Sequence, residues 1–212
     1  NVCRRAELIN RKGVSDLDFI TAGDYKNYLA RMFQFDWTKV CLIMIASAIF
    51  FLLIYTITQW KYLSFRGICV CMLFGVYMGC VAGVTLYNRT PTGVHRANLD
   101  LFWSYRAYFE TGSRIRIVED VCNIVMLVPF GILVPILFRW ARNFAVFFLC
   151  DLAFTVFIEG MQYYTTRGLF ELDDIFNNAL GGILGFLIFS MIYMVIRDCR
   201  RLFCRRHMCR EY

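Results

Sequence analysis

The sequence "FELDDIFNNALGGILG", residues 170–185, sets three carboxylates (Glu171, Asp173 and Asp174) directly before a long uncharged run. That run then carries two side-chain amides, Asn177 and Asn178, and a glycine triplet-like group of Gly181, Gly182 and Gly185. Carboxylates and amides placed together can bind a hard cation, take up a proton as a general base, or accept hydrogen bonds from a ligand. A second group lies upstream, where Asp151, Thr155, Glu159 and Gln162 fall within about 80° of arc at 100° per residue and so form one polar stripe on a helix. A third consists of Glu119, Asp120 and Asn123. Pro129 follows six residues on, where it should weaken the helix and free a backbone carbonyl. Arg89, Arg167 and Arg106 are the cations placed to balance these acids and to hold carboxylate or phosphate groups through bidentate contacts. Asp174, Asn178, Gly181 and Gly185 again share a narrow stripe, and the last two make a small-xxx-small pair that admits a close helix neighbour.

These side chains need elements to hold them, and the composition says which. The chain has 212 residues, 59% hydrophobic and only 18% charged, well below the roughly 25% charge of soluble domains. Uncharged runs at 40–60, 67–88, 121–138 and 175–196 each approach the roughly 20 residues that cross about 30 Å of hydrocarbon as a helix. A fifth, 143–164, has the length but contains Asp151 and Glu159. Lipid offers backbone groups no partner, and no segment alternates with period two, so the spans are helices. The expected fold is an all-α integral membrane protein of five transmembrane helices forming one domain. A charge inside a span costs several kcal/mol and persists where it pairs, lines water or does chemistry. The outer ends of spans two to five carry Arg89, then Glu119, Asp120 and Asn123, then Glu159 and Gln162, then Asp174 and Asn178. One polar site between helices, open to one membrane face, accounts for that convergence. The plainer reading is that Glu159 and Asn178 bond across helices as polar glue, with Asp173 capping the last span.

Residues 1–37 are too polar to span. Within them "GDYKNYLARMFQF" places Tyr25, Tyr28, Leu29, Met32 and Phe35 near one face, an expected interfacial amphipathic helix. No signal-peptide pattern precedes the first apolar run. Residues 38–64 form a first transmembrane helix, 65–197 the motif-bearing transmembrane domain and 198–212 a basic tail. The loop 89–116 is rich in aromatics, with Phe102, Tyr105 and Phe109 sharing a face suited to the headgroup layer. Lys61, Arg66, Arg139, Arg142 and the arginines of the tail lie on one side of the membrane, which the charge bias makes cytoplasmic, leaving the acidic loop 165–174 outside. Arg89, Arg96, Arg106, Arg114 and Arg116 then lie on the outer side, and either they are functional or the orientation is reversed. The net charge of +7 sits largely beside helix ends, where it meets lipid headgroups, and is no sign of a nucleic-acid partner. Most of the ten cysteines fall inside spans as small hydrophobes, and the spacing of Cys199, Cys204 and Cys209 is not that of a zinc site.

The ordered set of these residues resembles the VanZ-like family, whose founding member is associated with teicoplanin resistance. "TLYNR" at 85–89, "NLDLF" at 98–102 (which brings in Asn98), "NIVMLVPFG" at 123–131 (which brings in Gly131), and "EGMQ" at 159–162 each match a family element. Arg167 and "FELDDIFNNALGGILG" complete the pattern over roughly 85–189. Leu101 stands where the family usually has proline, and Glu171 where aspartate is common. The resemblance implies a bacterial cell-membrane protein linked to glycopeptide resistance, especially to lipid-bearing glycopeptides.

Three functions compete. The favoured one is a non-enzymatic protein that binds a membrane lipid, a lipid-linked wall precursor or a lipidated glycopeptide in the polar site. The second is an enzyme acting on a lipid head group, with Glu159 as base and Asp174 as its partner or as a ligand of a divalent cation such as Mg²⁺. It is weakened by the presence of only two histidines, His95 and His207, both outside the spans, and no cofactor is otherwise expected. The third is a proton-coupled lipid transporter using Asp151, Glu159 and Asp174 as a relay, which the lack of an internal repeat disfavours.

Overall fold

The structure is a computed structural model and describes residues 36–60, 64–87, 89–111 and 114–208. The expected interfacial helix over residues 23–35 lies outside the described residues, as do the side chains of Cys204, His207 and Cys209. Five long apolar helices follow one another in the chain: α1 (Trp37–Thr58), α2 (Phe65–Ala82), α4 (Arg114–Leu137), α5 (Phe144–Tyr164) and α6 (Leu172–Met208), with a short helix α3 (Trp103–Thr111) between α2 and α4. All five long ones have the length and hydropathy to cross a membrane.

Local chemistry starts these helices where the chain turns. The Ser64 hydroxyl accepts from the Gly67 amide at 3.1 Å, and the Asn143 side chain accepts from the amides of Ala145 and Val146, so α2 and α5 are N-capped in the usual way. Helix α2 does not stop at Ala82 but loosens into a π-turn over Gly83–Tyr87, a feature that often marks functional positions. Helix α4 runs on through Pro129, the residue expected to weaken it, and through Pro135. The strained turn is stitched from outside, because the Tyr77 hydroxyl of α2 donates to the Met126 carbonyl at 2.9 Å.

Helices cannot be driven together in lipid by burial of apolar surface, so close backbone packing takes over. The principal crossing joins α4 and α6, where a Cβ at Gly181 would overlap the Ile124 carbonyl and one at Gly185 the Val128 carbonyl. Gly131 lies equally tight against the backbone at Gly182 and Phe186. A second stripe, Gly75 and Gly79 on α2, seats against Ala48 and Met44 of α1. Below the polar end, Phe130 stacks on Phe154 at 4.5 Å and Phe147 on Phe186 at 4.8 Å, filling the bundle core with Leu127 and Val134. Cys71 is buried, whereas Cys41, Cys69, Cys80 and Cys122 sit on outward faces.

Candidate functional site

The loops at one end of the bundle are sewn together. Residues Ala97–Asn98 (β1) and Phe170–Glu171 (β2) pair as a minimal parallel ladder, and the amide of Thr92 donates to the Thr166 carbonyl at 2.8 Å. Two non-glycine residues here, Phe102 (φ 64°) and Thr166 (φ 54°), occupy the left-handed region that costs a side chain free energy. Each is held in place. The Phe102 amide donates to Asp173, and the Phe102 ring packs edge-on against Phe176 of α6.

Asp173 is the anchor of this end. Besides Phe102, it accepts from the Ser104 amide at 2.9 Å and the Ser104 hydroxyl at 2.7 Å. Its carboxylate thus caps the N-terminus of α3, a different helix from the one it begins, where the exposed amides and the dipole favour negative charge. One turn further, the Asn177 amide bridges two elements: its Nδ2 donates to Asp120 of α4 at 2.9 Å, and its Oδ1 accepts from the Tyr105 hydroxyl of α3 at 2.6 Å. The aromatic segment is therefore locked onto the bundle by α6 rather than lying free in the headgroup layer.

On the opposite side, Arg89 donates to Gln162 of α5 at 3.0 Å, and Arg167 donates to the Leu86 carbonyl at 2.8 Å while stacking over Tyr87. Gly168 lets this happen, since a Cβ there would meet both Gln162 and Arg89. Glu159, only 1% exposed, accepts from the Glu171 amide at 3.5 Å. Glu159, Glu171 and Glu119 all feel the charge of Asp174, so these four carboxylates share one end of the bundle. Burial, and next the Asp174 charge, push the Glu171 carboxyl up to about 7. Among the described residues, three buried acceptor oxygens at this end have no donor, Asp120 Oδ2, Glu171 Oε1 and Asn178 Oδ1, and the buried indole N–H of Trp103 has no acceptor. Each such group ordinarily costs about 1–3 kcal/mol.

This arrangement of Arg89, Gln162, Glu159, the paired aspartates and the inward amides on a crossing of glycines lies inside the stretch that decides the family. The sequence pattern of the VanZ/LLP1 family matches residues 39–194. The chain belongs to the VanZ/LLP1 family. It is a membrane protein of that family, with the match extending from α1 well into α6 and so beyond the 85–189 stretch that bears the motifs. No curated protein and no solved structure matches the chain.

Within this VanZ/LLP1 fold, Arg89, Glu119, Asp120, Glu159, Gln162, Arg167, Asp173, Asp174 and Asn178 come to the same end of the bundle, with Asn123 half-buried one turn beyond Asp120. Others do not join them. Asp151 is fully buried about two turns deeper, both its oxygens without a donor, pressed against Gly182. Asn98 turns its side-chain oxygen to the Asp100 amide at 3.1 Å within its own loop. Arg106 is exposed and pairs with Asp100, so it does not balance the acids as expected. That task falls to Arg116, which pairs with Glu119 at 3.3 Å and lies over the Trp103 ring. Sequence reasoning also passes over Asn177, Ser104 and Tyr105 as site residues. Asn177 sits about 100° round the helix from Asn178, off the stripe, yet an amide in an uncharged span was itself the signal. Among the described residues, no three His, Cys, Asp or Glu side chains are grouped so as to hold a metal ion.

Proposed function

We propose that this VanZ/LLP1 member contributes to glycopeptide resistance of the teicoplanin type by binding an amphiphile at its polar end. The candidates are a membrane lipid, a lipid-linked wall precursor or a lipidated antibiotic. The observation that carries the reading is the buried set of polar groups drawn from α4, α5 and α6, joined by the exposed Arg89 of the loop after α2, beside exposed Tyr87, Phe102, Phe109 and Tyr164. A polar head meets hydrogen-bonding groups there, and an apolar chain meets the aromatic rim. In this reading the protein resides in a bacterial cell membrane, the arginine-rich end faces the cytoplasm and the polar end faces outward.

Expression in a teicoplanin-susceptible bacterium tests it. The wild-type protein should raise the minimum inhibitory concentration, and Glu159→Ala or Gln162→Ala, at equal membrane abundance, should remove that rise. Unchanged susceptibility with abundant wild-type protein, or full protection by both variants, overturns the proposal.

A further inference from the structure

We propose that the head group held at the polar end carries a positively charged amine, an inference that rests on the ligand-site reading above. Three cations of this end are engaged by the protein: Arg89 with Gln162, Arg167 with the Leu86 carbonyl and the Tyr87 ring, Arg116 with Glu119 and the Trp103 ring. They are therefore not a vacant anion cradle. The acceptors are in the opposite state. Asp120, Glu171 and Asn178 are 4%, 9% and 1% exposed, and each keeps an oxygen with no donor. They come from three separate elements, α4, β2 and α6.

The geometry ties those elements to one place. The other oxygen of Asp120 is held by Asn177, so α4 meets α6 one turn after Asp173. Asn178 lies one turn below Asp174, whose charge is felt at Glu171, Glu159 and Glu119. An ammonium group brings three N–H donors and no acceptor, so it complements lone oxygens, whereas a phosphate would set acceptor against acceptor. The exposed ring of Tyr164 at the rim offers an approaching cation further attraction.

The test uses the full chain in phosphatidylcholine nanodiscs near neutral pH, with radiolabelled hexadecylamine, hexadecyl phosphate and hexadecanol as probes and empty discs subtracted. Hexadecylamine should bind saturably and at least about tenfold more tightly than hexadecyl phosphate, a gap equivalent to about 1.4 kcal/mol. Glu171→Gln and Asn178→Leu should each weaken the amine several-fold, while Arg197→Gln at the opposite, arginine-rich end should not. Selectivity of the wild-type chain decides the matter even where a variant fails to fold. Saturable binding of the phosphate in place of the amine, lost in Arg89→Ala, overturns the amine and leaves the ligand site standing. Equal binding of hexadecanol overturns the need for charge. No saturable binding of any probe overturns both this inference and the ligand site beneath it.

Discussion

The two ends of the bundle carry opposite charge and treat it in opposite ways. At the arginine-rich end, Arg197 and Arg201 meet Asp198 at 3.6 and 3.9 Å with side chains half or more exposed. Arg139 is exposed as well, and Arg142 donates to the Pro135 carbonyl while lying over Tyr193. Such charges remain solvated, interact weakly and serve orientation and lipid headgroups. At the other end Asp173, Glu159, Asn177 and Gln162 are at most 2% exposed, and their hydrogen bonds join elements far apart in sequence. Solvated charge is cheap and local, whereas buried charge has to be organised by the whole fold. The difference shows which charges are there to satisfy topology and which are there to build a site.

That contrast can be broken in stages. The largest effect belongs to the crossing that supports the polar end: Gly181→Leu should lower stability by about 3 kcal/mol, since the Ile124 backbone cannot move aside, and Tm in detergent should fall accordingly. Asp173→Ala comes next, leaving the amides of Phe102 and Ser104 without their acceptor. A loss of about 2 kcal/mol is expected, and α3 should become protease-sensitive at residues 102–104.

Glu171 sharpens the comparison through pH. Its carboxyl is raised from an ordinary 4.5 to about 7, first by burial and then by Asp174, with Asp173 adding to the rise and Arg116 and Arg89 opposing it. The folded state therefore holds this proton more tightly than the unfolded chain. Its stability is intact below about 4.5 and is lost as pH rises towards 7. Subtracting the Tm–pH curve of Glu171→Gln from that of the wild type isolates this group from Glu159, Glu119 and Asp174, and that difference should fall as pH rises across that window. A flat difference curve would contradict it. The smallest effect is reserved for the other end. Arg197→Gln with Arg201→Gln should change stability by no more than about 0.5 kcal/mol, and that small change should vanish in high salt.

Much of the fold is legible along the chain because lipid imposes a one-dimensional rule: an apolar run of sufficient length must satisfy its own backbone and so becomes a helix. The five spans, the small-residue face at Gly181 and Gly185, and the family to which the motifs belong are all present in residue order. The depth of Arg89, Glu159, Asp174 and Asn178 follows from helix direction and rise alone. Partner choice does not follow. That Asp173 caps α3 rather than its own helix, that Arg116 and not Arg106 faces Glu119, and that Asn177 ties α3 to α4 depend on the rotation of each helix and the path of the loops. Periodicity records which residues share a face; the packing of α4 against α6 and the strained turns at Phe102 and Thr166 decide what that face meets. The sequence by itself thus determines that charge lies at both ends of this membrane protein, and the tertiary structure alone determines at which end it is buried, because burial depends on neighbours that no single helix contains.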